Sequence, residues 1–168
     1  MTRFASRSGV LSLAAFAAAA LAVGCAGFGQ DERSDRPDVD ILQRSAYCHT
    51  PGEEAAAHYF PDPPSFRRWI DSREISEFRA GAASLGGVIV VEMGERPTAG
   101  YRLEVREGMS RIEEGTLILA LDWLPPAPDA MVAQVVTAPC IVVGAPDGDY
   151  GRIEVRDNTL DLRAITER

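Results

Sequence analysis

The chain has 168 residues and a formal charge of −8, with 25 acidic residues against 17 arginines and no lysine. An acidic surface of this kind repels phosphate backbones, which argues against nucleic-acid binding. The absence of lysine also excludes a phosphate-cradling glycine loop of the type completed by that residue.

The first residues have the three parts of an export signal. Arg3 and Arg7 form a positive start, Gly9 to Val23 is uncharged and apolar or small, and Ala22-Val23-Gly24 leads into Cys25. Small residues before a cysteine suit a lipoprotein signal peptidase, and the Cys25 thiol is the atom that would carry a diacylglyceryl group. The expectation is a signal peptide over 1–24 and lipidation at Cys25. Two other readings stand beside it, ordinary signal cleavage and a membrane-spanning anchor. A spanning helix needs about 20 apolar residues, and this core is shorter. Ala26 rather than aspartate follows Cys25. By analogy with sorting in enteric bacteria, that points to the outer membrane of a bacterial cell envelope. Removing 1–24 leaves 144 residues, the size of one domain, with a charge of −10.

Residues 25–40 read as the lipidated cysteine and a polar tether, and 41–168 as a single β-rich domain. With Cys25 lipidated, Cys48 and Cys140 remain as a candidate disulfide pair in an oxidising compartment. The alternative is two separate buried thiols. Ile41 to Phe60 shows no clear period. Ser65 suits a helix N-cap, and Phe66, Trp69 and Ile70 then share one helical face, so one or two short helices are expected over 66–80. From Gly87 the pattern becomes that of strands. Val88-Ile89-Val90-Val91 reads as a buried strand, and Tyr101 to Arg106 alternates. Thr116 to Leu121, Ala133 to Val136, Cys140 to Val143 and Arg152 to Arg156 follow as further strands. Asp157-Asn158 suits a tight turn, and Leu160 and Leu162 mark a last strand. The fold expected is mainly β, an antiparallel sandwich or barrel-like domain with the short helices near its N-terminal side.

Signatures of enzymes are missing. There is no Gly-x-Ser-x-Gly and no His-Glu-x-x-His. His49 and His58 are the two histidines, and His49 beside Cys48 is a weak nucleophile–base pair because sequence neighbours on an extended chain point apart. Asp147-Gly148-Asp149 lacks the alternating oxygens and closing glutamate of a calcium loop, so a turn is expected there. The chain is therefore read as a non-enzyme with no cofactor, no metal site and no small-molecule substrate. The unusual feature is the loop Gly94-Glu95-Arg96-Pro97-Thr98-Ala99-Gly100-Tyr101 between two strands. Pro97 restricts φ, Gly100 permits φ > 0, and Thr98 can bond its own backbone. It is either a rigid connection or a recognition loop.

This loop and its surroundings resemble the C-terminal domain family of PrcB, the lipoprotein subunit of a bacterial surface protease complex. Four stretches carry the resemblance over Gly87 to Val143: the strand Gly87 to Met93; Arg96-Pro97-Thr98-Ala99-Gly100-Tyr101, like the family's Pro-Thr-x-Gly-Tyr; Thr116 to Leu121 with the prolines Pro125 to Pro128; and Val135 to Val143, like its Thr-x-Pro-aromatic-x-x-Val segment. Cys140 stands where an aromatic is usual. The resemblance implies a non-catalytic β-sandwich that associates with or stabilises a secreted or surface protease, with Arg96, Pro97, Thr98, Gly100 and Tyr101 as the partner-binding loop. The same loop is similar to the Asn-Pro-Thr-Thr-Gly-aromatic loop of chagasin-type inhibitors of papain-like proteases, which makes direct inhibition the runner-up. In that comparison Arg96 stands for asparagine and Ala99 for the second threonine. A structural envelope lipoprotein without a protease partner is the third reading.

Overall fold

A computed structural model describes residues 36–48, 52–75, 78 and 87–168. The expected export signal over 1–24, Cys25, most of the expected tether and His49 lie outside the described residues. Nine strands and one helix follow in the order β1 (Ile41–Ser45), β2 (Ala56–Phe60), α1 (Pro63–Ser72), β3 (Val88–Glu92), β4 (Arg102–Val105), β5 (Arg111–Glu113), β6 (Thr116–Leu124), β7 (Cys140–Gly144), β8 (Arg152–Arg156) and β9 (Leu162–Glu167). The mainly β expectation holds.

Two sheets form a sandwich. One has the order β1-β7-β3-β2, all antiparallel. The other has the order β4-β6-β8-β9, with β5 also paired to β6. Here β6 and β8 pair in parallel, Thr116 opposite Arg152 through Ala120 opposite Arg156. This departs from an all-antiparallel arrangement. It arises because the chain leaves β6, crosses to the first sheet as β7, and returns as β8.

The β3 run is continuously apolar because both its faces are buried. Ile89 and Val91 point between the sheets, against Ile141 and Val143 of β7 and Leu117, Leu119, Leu121, Ile153 and Val155 of the second sheet. Val88 and Val90 face the other way, with Val142, Phe66 and Ile70 under α1. The helix begins at Asp62, not Ser65. Pro63 and Pro64 fill the first two helical positions, where no N–H is needed, and the Ser65 amide donates to Asp62 Oδ1 at 2.7 Å. Glu92 ends β3 on this helix-covered face. Its carboxylate is fully buried and is held by His58 Nε2 at 2.9 Å and the Arg73 guanidinium at 3.0 Å.

The disulfide Cys48–Cys140 is present, with Cα atoms 6.0 Å apart and both residues buried. Two expectations are corrected. Ala133 to Val136 is not a strand but part of a long connection between β6 and β7. Leu160 lies in the turn before β9 at φ 67°. That turn is organised by Asp157. Its buried carboxylate accepts from the Thr159 amide and hydroxyl, the Asp161 amide and Arg163. Burial alone would raise its pKa, but these bonds outweigh burial and bring it down to about 2.

The sheets adjoin where β2 lies alongside β9. There Arg168 sits 4.4 Å over the Tyr150 ring and donates to Gly148 O at 2.9 Å. On the opposite side β1 and β4 are the terminal strands of their sheets.

Candidate functional site

The β3–β4 loop, 93–101, does not stand alone. It is laced to the second connection, 125–139, along its length. The Met93 amide donates to Pro139 O at 2.8 Å. Arg96 and Thr137 exchange backbone hydrogen bonds, N to O at 2.7 and 2.9 Å, as a two-residue antiparallel bridge. The Ala99 amide donates to Ala133 O at 3.0 Å, and the Thr137 hydroxyl donates to Thr98 O at 2.9 Å. Both connections form one paired tip at the end of the sandwich.

Each predicted loop residue has a definite place in that tip. The Arg96 guanidinium caps carbonyls, donating to Met93 O at 2.6 Å, Glu95 O at 2.8 Å and Glu53 O at 3.3 Å. It clamps the loop to the 52–54 segment. Gly94 is needed beneath this clamp, since a Cβ there would lie 2.4 Å from Glu53 O. Gly100 adopts φ +93°, and a Cβ on it would lie 2.9 Å from Pro126 and 3.2 Å from Val132. Pro97 is exposed at the crest. The Thr98 hydroxyl donates to the neighbouring Ala99 O at 3.2 Å. Tyr101 is half-buried and packs against the core between the sheets.

The apolar surface of the tip comes from the second connection, which the sequence suggests in part as a strand and not as a contact surface. Met131 is fully exposed, and Val135 and Val136 are 53% and 54% exposed. No signal in the sequence marks them, since the composition of Ala133 to Val136 favours a strand. The sequence suggests that strand and a family-like return at Thr137 to Cys140, but not an exposed surface.

Other polar groups are engaged elsewhere. His58 is committed to Glu92, and Asp147 to Asp149 form a bend between β7 and β8. A cleft of about 670 Å³ on the outer face of the second sheet is lined by Glu113, Glu114 and Glu154. Arg111 pairs with Glu113, and Arg152 and Arg156 pair with Glu154. No group of three or more metal-ligating side chains occurs among the described residues.

The order of these pieces, a buried strand, a Pro-Thr-x-Gly-Tyr loop, a proline break and a Thr-x-Pro return, decides the comparison. Residues 88–146 match the PrcB C-terminal family. The PrcB-like segment runs from β3 through β7 and contains both connections of the paired tip, while β1, β2, α1, β8 and β9 lie outside it. No curated protein and no solved structure matches the chain.

Proposed function

We propose that this chain is an exported lipoprotein, tethered through Cys25 to a bacterial envelope membrane, whose sandwich acts as a non-catalytic protein-binding module for a secreted or surface protease. One observation carries the binding role. The tip presents Met131, Val135 and Val136 to solvent on a connection pinned by backbone hydrogen bonds to Arg96, Ala99 and Met93. An apolar surface already held in place loses little conformational entropy when it docks. The match of the surrounding segment to the PrcB C-terminal family supports a protease as the partner.

In this reading Arg96, Pro97 and Gly100 shape the tip, while Val135, Val136 and Met131 supply its contact area. Affinity capture of the full chain from its own cells in mild detergent tests it. Recovery of a protease by the unmodified chain, lost in Val135→Asp/Val136→Asp, is the expected result. Recovery of envelope-assembly proteins alone, unchanged by that variant, would overturn it in favour of a structural lipoprotein. Slowed turnover of papain-like enzymes by the purified chain would move the reading to inhibition. For the tether, Cys25→Ser is expected to release the protein from the membrane fraction.

A further inference from the structure

The side of the sandwich opposite the β2–β9 contact holds a cleft of about 180 Å³ between the first sheet and β4. Ala46, Leu103 and Pro139 contribute to its lining, together with Arg44 and Tyr101. Arg44 stands opposite Ile141 in the β1–β7 register. Directly paired residues share a face of the sheet, and Ile141 belongs to the core between the sheets. Arg44 is therefore at an inward register position of an edge strand, yet it is exposed, so it sits at the mouth of the sandwich. It has no acidic partner among the described residues, whereas Arg102 beside it pairs with Glu104 at 2.8 Å. The Tyr101 hydroxyl likewise has no hydrogen-bond partner among the described residues. An exposed guanidinium with no acidic partner, and a phenol with no hydrogen-bond partner, among the described residues thus border one small cleft in a protein of charge −8.

From this geometry we infer that the β1–β4 cleft binds an acidic side chain carried on an extended segment of a protein partner. The inference rests on the reading of the chain as a protein-binding module. Three observations select this occupant. A planar guanidinium with an adjacent O–H donor matches a carboxylate. The volume falls below the roughly 300–1,000 Å³ of small-molecule sites and suits a single side chain. β1 and β4 are terminal strands, and edge strands offer main-chain groups to an extended peptide. A competing role exists for Arg44, since inward-pointing charges also protect edge strands from self-association. That role requires no ligand, so the two are separable.

The test uses the full chain in mild detergent and two end-blocked peptides of alternating valine and threonine, one with a central glutamate and one with glutamine. Titrations are followed by amide NMR shifts and fluorescence anisotropy at low salt. The glutamate peptide is expected to bind at least tenfold tighter than its glutamine counterpart and to shift the resonances of Ala46 and Leu103. Arg44→Gln should erase that preference, and Tyr101→Phe should reduce it severalfold. Equal binding of both peptides, no binding, or preference for a peptide with a free C-terminal carboxylate over the blocked glutamate peptide would each overturn the inference. Self-association of Arg44→Gln with no effect on peptide binding would assign Arg44 to edge protection instead. Val135→Asp/Val136→Asp is expected to bind the glutamate peptide normally. Loss of protease capture in that variant with peptide binding intact therefore separates failure of one site from failure of the other.

Discussion

Reducing the Cys48–Cys140 disulfide removes one bond and almost no volume, so it isolates the effect of the cross-link. The two cysteines are 92 positions apart. In the chain-entropy description, closing a loop of that length restricts the unfolded chain by about 4–5 kcal/mol at 25 °C. With a urea slope of about 2 kcal/mol/M for a domain of this size, the midpoint of the reduced protein should lie roughly 2 M below that of the oxidised protein. The assay is equilibrium urea unfolding followed by tryptophan fluorescence, with and without reductant, alongside Cys48→Ala/Cys140→Ala. The alanine pair should lose slightly more than reduction alone, because it also empties buried volume. Both cysteines are buried, at 0% and 3% exposure. Reduction in native buffer should therefore proceed only as fast as the protein opens. A midpoint shift under about 0.5 M, or rapid reduction of the native protein by dithiothreitol, would refute this reasoning. The cross-link also fixes the tip, since Cys140 follows directly on the Thr137–Pro139 stretch that receives Arg96 and Met93. Reduction should weaken partner capture before it unfolds the sandwich.

Gly100→Ala forces a side chain into a φ +93° position against Pro126; it should cost about 1–2 kcal/mol and lower capture, whereas Ala99→Ser should do neither. Val135→Asp/Val136→Asp should leave the urea midpoint within experimental error, as exposed substitutions do. If each valine contributes about 1–2 kcal/mol on docking, affinity for the partner should fall by roughly a hundredfold. Asp157 has a folded pKa of about 2 against an ordinary 3.8. Its contribution is present above the ordinary value and is lost as pH falls towards 2. Asp157→Ala should remove about 2 kcal/mol at neutral pH and flatten the fall in stability between pH 4 and pH 2. Tyr101→Ala should destabilise by about 2–4 kcal/mol because the ring packs on the core; unchanged stability would place the ring in the interface alone.

How far the fold could be read depended on whether both faces of a strand had clear partners. β3 and β8 were legible because one is buried on both sides and the other alternates between Leu-rich core and solvent. β1 and β2 were not. β1 is a terminal strand with an irregularity between Ile41 and Gln43, and β2 places His58 and Tyr59 on a half-buried edge. Ala133 to Val136 misled in the opposite direction. Its composition favours a strand, but here the β-branched side chains face water and the backbone bonds go to a loop. The Arg96–Tyr101 loop was visible through Pro97 and Gly100, whose backbone demands are written in their identity. Its pairing with 125–139 was not, since tertiary hydrogen bonds between connections leave no period. The parallel β6–β8 pair was hidden for a related reason: a detour through the other sheet separates its members.

That detour limits how the molecule can be cut. The segment that matches the family, 88–146, ends before β8 and begins after β1 and β2. Expressed alone it would strip β7 of its β1 neighbour, β3 of its β2 neighbour and β6 of its parallel partner, leaving three hydrophobic strands with bare edges. Such a fragment is a recipe for aggregation rather than an autonomous folding unit. The two sheets must instead condense together, each waiting on strands distant in the chain, so folding is expected to be slow and all-or-none.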